Sequence, residues 1–217
     1  MIVSIKETYT DFYHFVKNPI DEPAPIQTAR HKINRLFSIL AIEIPIIAVI
    51  GATIYGIEKL GIIDTGVHKL DTLFQELPLW KFVIWGVIIN PFLEELIFRL
   101  CLRFNPRDLT AYSILPVSVI GNQNIAKVEK YLSRLWAGKF PLIFFSSALL
   151  FAYFHLSNYE LTNKVLLLSP LLIAPQLITG LFLGYLRIKY NLMLGYFMHA
   201  IHNAFFILLA FITMDLG

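Results

Sequence analysis

Long apolar runs separated by short polar stretches dominate this chain. Residues 36–57, 79–104, 140–158, 164–188 and 192–214 are each mostly apolar. Each approaches or exceeds the roughly 20 residues that a helix needs to cross a bilayer. A further apolar run at 109–120 would reach only about 18 Å as a helix, against a hydrocarbon core of about 30 Å. It fits a re-entrant or interfacial segment, and counting it as a span would turn the C-terminus to the cytoplasm. The pattern predicts an all-α fold, a polytopic transmembrane helix bundle of about five to six spans. Residues 1–35 are polar and broken by Pro19, Pro23 and Pro25, with a weakly amphipathic stretch at 2–16 that suits a surface helix. We therefore expect a cytoplasmic N-terminal segment over 1–35 and a transmembrane helical domain over 36–217.

Punctuation within the spans adds detail. Pro91 removes a backbone donor and predicts a kink one turn before Glu94. Pro170 and Pro175 predict a bend in the fourth span, where Gly180 and Gly184 offer a small-residue face for close helix contact. The run at 128–136 resembles an amphipathic surface helix lying ahead of the third span.

Charge placement orients the bundle. Arg30, His31, Lys32 and Arg35 precede the first span; Arg107, Lys127, Lys130, Arg134 and Lys139 follow the second; Arg187 and Lys189 separate the fourth from the fifth. These flanks belong to the cytoplasm, which puts the N-terminus inside. The composition agrees: 57% of the 217 residues are hydrophobic, against about 45–50% for soluble domains. Cys101 is the only cysteine, so no intrachain disulfide can form.

Candidate chemistry lies inside the apolar runs, where ionisable groups are costly and tend to mark function. Glu94, Glu95 and Arg99 sit in the second span; Glu95 and Arg99 are four residues apart, acid first, the favourable order for a helical ion pair. Glu94 points about 100° away from Glu95 and is left free to work. His155 lies in the third span, four residues after Phe151, and His199, His202 and Asn203 lie in the fifth. Glu43, near the cytoplasmic end of the first span, is either a snorkelling headgroup contact or a site residue.

These residue types suit hydrolysis. A carboxylate can take a proton from water, an imidazole can orient that water, and a second imidazole with a carboxamide can stabilise an oxyanion. Glu94, His155 and His199 could alternatively hold a zinc ion with one position left for water, although no His-Glu-x-x-His helix is present.

Glu94-Glu95-x-x-x-Arg99, Phe151-x-x-x-His155 and His199-x-x-x-Asn203 resemble, in order and each on its own span, the motifs of the CAAX-processing and bacteriocin-processing (CPBP) intramembrane endopeptidases. The resemblance implies Glu94 as catalytic base, His155 as its partner on the water, and His199 and Asn203 as the oxyanion pair. It implies Glu95 and Arg99 as the ion pair that positions the motif helix, with Phe151 packed beside the site. His202 is not a motif position and suits a second-layer hydrogen-bond donor or an extra ligand. The family includes the prenyl-protein endopeptidase that removes three residues after prenylation, and bacterial members linked to bacteriocin self-immunity.

The resulting expectation is an intramembrane endopeptidase in a bacterial-type plasma membrane. It would cut a hydrophobic or lipidated peptide or protein tail near the cytoplasmic half of the bilayer, with membrane lipids as its surroundings. Zinc is an open cofactor option, and no nucleic-acid partner is expected. A proton- or ion-coupled carrier, or a non-catalytic peptide-binding immunity protein, are the competing readings. Simple threading also raises a difficulty: Glu94 and His199 lie about 12–15 Å from the cytoplasmic span ends, but His155 about 23 Å.

Overall fold

A computed structural model describes residues 4–25, 27–63, 78–103 and 122–215. The run at 109–120 lies outside them. Among the described residues the chain is helical, without a β-strand. Helix α1 spans Ile5–Lys17 and α2 spans Ala29–Lys59. Then come α3 (Leu79–Val83), a π-helical segment (Ile84–Ile89), α4 (Asn90–Arg99) and a 3-10 turn (Leu100–Leu102), continuous with one another. Helix α5 covers Asn122–Phe154 and ends in a 3-10 turn at His155–Asn158; α6 (Asn163–Leu172), α7 (Ala174–Lys189) and α8 (Leu192–Asp215) complete the chain.

Helix starts follow local chemistry. Ser4, Thr28 and Thr162 each accept a hydrogen bond from the amide three residues on, at 3.1, 3.3 and 3.2 Å. Asn191 does the same for Leu194 at 2.8 Å, so α8 begins immediately after the turn from α7. Helices α6 and α7 meet at a 42° bend at Ile173, between the two prolines expected to bend the fourth span.

Two boundaries differ from the sequence reading. The amphipathic run at 128–136 is no separate surface helix; it is the first part of α5, which passes through Pro141 without a break. The polar-to-apolar change at Lys139 therefore marks composition, not a helix end. The second span is also less regular than a single kink at Pro91 would make it, because a π-helical turn precedes that proline.

Helices α2, α5 and α8 are long and apolar enough to cross a membrane, and the bent α6–α7 pair qualifies when taken as one span. Their outer faces carry exposed leucines, isoleucines and phenylalanines such as Phe37, Leu150, Leu167 and Leu208. Glu43, Glu94, Glu95, Arg99 and His199 are instead buried. Apolar outside and ionisable inside is the arrangement a lipid solvent selects. The chain is an integral membrane protein.

The core forms where α7 meets α5. A Cβ at Gly184 would stand 2.8 Å from Phe144 Cε2, and one at Gly180 would stand 3.2 Å from Phe151 Cδ1 and 3.3 Å from the Ala148 carbonyl. Glycine at both positions lets the helices approach, as the small-residue face anticipated. The aromatic rings of Phe12 and Phe15 on α1 pack against Phe182, Tyr185 and Phe144. Arg35 meets Asp11 at 2.8 Å, and Trp136 donates to Asp21 at 2.8 Å, so the N-terminal segment is fastened to the bundle.

Candidate active site

The motif helix α4 is held at both ends. In the π-helical turn the amide of Asn90 donates to the Trp85 carbonyl, five residues back. The next donor in that register would be Pro91, which has no N–H. The Gly86 carbonyl, its would-be partner, accepts instead from Asn203 Nδ2 on α8 at 2.8 Å. At the other end Arg187 Nε donates to the Arg99 carbonyl at 3.0 Å and its Nη2 to the Leu100 carbonyl at 3.2 Å. A cation there also complements the negative end of the helix dipole.

Between these clamps the carboxylates diverge. Glu94 Oε1 accepts from Asn90 Nδ2 at 2.6 Å, and its Oε2 lies 3.5 Å from His199 Nε2. Glu95, fully buried, has its Oε1 3.9 Å from Arg99 Nε and 3.4 Å from His199 Nδ1. His199 therefore bridges the two neighbouring glutamates, and Glu95 faces an imidazole as well as the guanidinium expected beside it. Arg99 stacks over the Phe151 ring at 4.0 Å, which gives its flat cation a face to rest on.

Phe151 is the hinge between the histidines. Its ring centroid lies 4.6 Å from that of His155 and 5.6 Å from that of His199. The Phe151 carbonyl lies 2.8 Å from His155 Nδ1. A carbonyl oxygen can only accept, so Nδ1 carries the hydrogen and Nε2 of the neutral ring is an acceptor. The offset counted along the spans does not keep these residues apart, since α5 has no boundary at Phe140 from which to count and His155 shares a cavity with Glu94 and His199.

Glu94, His155, His199 and Asn203 line one cavity of about 890 Å³, within the range of ligand-binding clefts. One wall comes from α2 through Ile47, Gly51 and Tyr55. Glu95 and Arg99 stand behind Glu94 and do not line it. Sequence reasoning missed Asn90 and Thr179. Asn90 had a detectable signal, its four-residue spacing to Glu94; Thr179 had none. Among the described residues no group of three His, Cys, Asp or Glu side chains is placed to hold a metal ion. Glu94, His155 and His199 thus share a cavity without forming a three-ligand set, and the chemistry below runs through the chain's own groups.

No curated protein and no solved structure shows a significant match to the chain. The family model Rce1-like, described as type II CAAX prenyl endopeptidase Rce1-like, matches residues 76–205. That stretch runs from the start of α3 into α8 and contains all three motifs in the arrangement just described. With more than half of its length matched, the chain belongs to the Rce1-like family of CAAX-type intramembrane proteases.

Proposed function

We propose that the protein hydrolyses a peptide bond near the cytoplasmic half of the membrane, with a water activated by Glu94 as nucleophile. The substrate is the tail of a hydrophobic or lipidated peptide or protein, in a plasma membrane of the bacterial type. Residues 36–217 serve as the protease domain, with 1–35 as its cytoplasmic segment. The observation that supports this reading is the convergence of Glu94, His155, His199 and Asn203 on one cavity bounded by apolar helices.

In this reading water donates one hydrogen to Glu94 and the other, as a hydrogen bond, to His155 Nε2. The oxygen adds to the scissile carbonyl, and the oxyanion takes hydrogen bonds from His199 and from the second amide hydrogen of Asn203. Asn203 has that hydrogen to give because Gly86 uses only one. Glu94 then passes its proton to the leaving nitrogen, the C–N bond breaks, and the carboxylate is regenerated. Glu95 and Arg99 bind no substrate; they hold His199 and the motif helix.

The test is cleavage of an internally quenched peptide ending in a prenylated cysteine and three further residues, by the purified full chain in detergent. Cleavage that survives chelation supports the glutamate mechanism. Loss on chelation with recovery on added zinc would assign Glu94, His155 and His199 to a metal instead.

A further inference from the structure

Behind the cavity wall lies another buried carboxylate, on an element outside the family match. Glu43 on α2 is fully buried, yet among the described residues neither lysine nor arginine pairs with it. Its partners are Thr179, whose hydroxyl donates to Oε1 at 2.6 Å, and His202, whose Nδ1 lies 2.8 Å from Oε1 and 3.0 Å from Oε2. His202 and Thr179 line the cavity beside Glu94 and His199. The His202 ring is set by this carboxylate on one side and by Phe206, at 4.8 Å between centroids, on the other.

An uncompensated negative charge is the costliest state for such a site, so the pair is stable at net zero charge. Two placements of the proton satisfy the short Nδ1 contact. Either Glu43 is ionised and His202 carries hydrogens on both nitrogens, or Glu43 is protonated and donates to Nδ1. Both leave a hydrogen on His202 Nε2, the nitrogen not engaged by Glu43. A neutral imidazole with Nδ1–H and a bare Nε2 would leave the carboxylate negative.

We propose that His202, held by Glu43 and Thr179, is a substrate-binding hydrogen-bond donor that presents Nε2–H to a peptide oxygen in the cavity. The inference rests on the protease reading and extends it, with Glu43 and Thr179 as positioning residues for His202. It makes α2 part of the site through a carboxylate, where the family match begins only at residue 76.

Two measurements test it on the purified full chain. With the quenched prenylated peptide, His202→Ala is expected to raise KM or lower kcat so that kcat/KM falls about 10–100-fold, and His202→Gln, which keeps an N–H donor, to recover part of it. Glu43→Gln keeps the shape of the side chain and can donate an amide hydrogen to Nδ1, which leaves the hydrogen on Nε2, so it should retain most of the activity. Glu43→Leu leaves the ring unheld and should approach the loss seen in His202→Ala. Full activity of His202→Ala or Glu43→Leu would overturn the proposal. Nitrogen-15 NMR of histidine-labelled protein, read without any turnover, should show His202 Nε2 protonated in the unmodified chain and in Glu43→Gln. A bare Nε2 in the unmodified chain would overturn the proposal even if the peptide is cleaved, whereas a protonated Nε2 beside an inert peptide would fault the substrate assignment and leave the donor in place.

Discussion

The Gly86 carbonyl accepts a 2.8 Å hydrogen bond from the Asn203 side chain, and Pro91 is the reason that carbonyl is available. The bond ties the irregular turn ahead of α4 to the last helix, and so fixes the distance between Glu94 and His199. Asn203→Ala would remove an oxyanion donor and orphan the Gly86 carbonyl. We expect kcat to fall about 10²–10³-fold and stability to drop by about 1–3 kcal/mol. Both are read by peptide cleavage and detergent melting on one preparation.

Pro91→Ala restores an N–H and lets the turn relax towards regular α-helix. The new donor competes with Asn203 for the carbonyls preceding α4. We expect the melting temperature to hold or rise while kcat falls, and a parallel loss of both would contradict this account of the π-helical turn.

Glu95 lies between Arg99 and His199, and each member of that set is buried. Glu95→Ala and Arg99→Ala each leave a charge without its partner and should cost about 3–5 kcal/mol. The double change should cost less than the two singles added together. Thermal unfolding of the three variants would show this, and strict additivity would refute the coupling.

Much of this was legible locally. The spacing of Glu94, Glu95 and Arg99 fixes their faces on any helix, and the paired glycines of α7 mark a close contact whatever the partner. What the sequence hid was non-local. Glu43 and His202 are 159 residues apart, and nothing in either neighbourhood names the other. The start of the helix that carries Phe151 was misplaced because the change in polarity at Lys139 looks like a helix boundary, whereas α5 continues through it. The π-helical turn was invisible because a proline predicts a lost hydrogen bond but not which carbonyl is released or what takes it.

Glycine substitutions separate packing from chemistry. Gly184→Ala puts a methyl 2.8 Å from the Phe144 ring and should destabilise the α5–α7 contact by about 1–3 kcal/mol. At Gly56 a Cβ meets nothing within 4 Å, so Gly56→Ala should stabilise α2 by up to about 1 kcal/mol. Opposite shifts in melting temperature are expected, and equal shifts would contradict the packing described.

Everything in the proposed chemistry depends on Glu94 acting as the base. Glu94→Gln preserves the shape of the side chain and its contact with Asn90 but cannot take a proton from water. The decisive measurement is single-turnover cleavage of the quenched prenylated peptide by the unmodified chain and by Glu94→Gln, at matched melting temperature and peptide affinity. With Glu94 as the base, the variant binds the peptide and leaves it uncut. Cleavage by the variant at a rate comparable to that of the unmodified chain would contradict it.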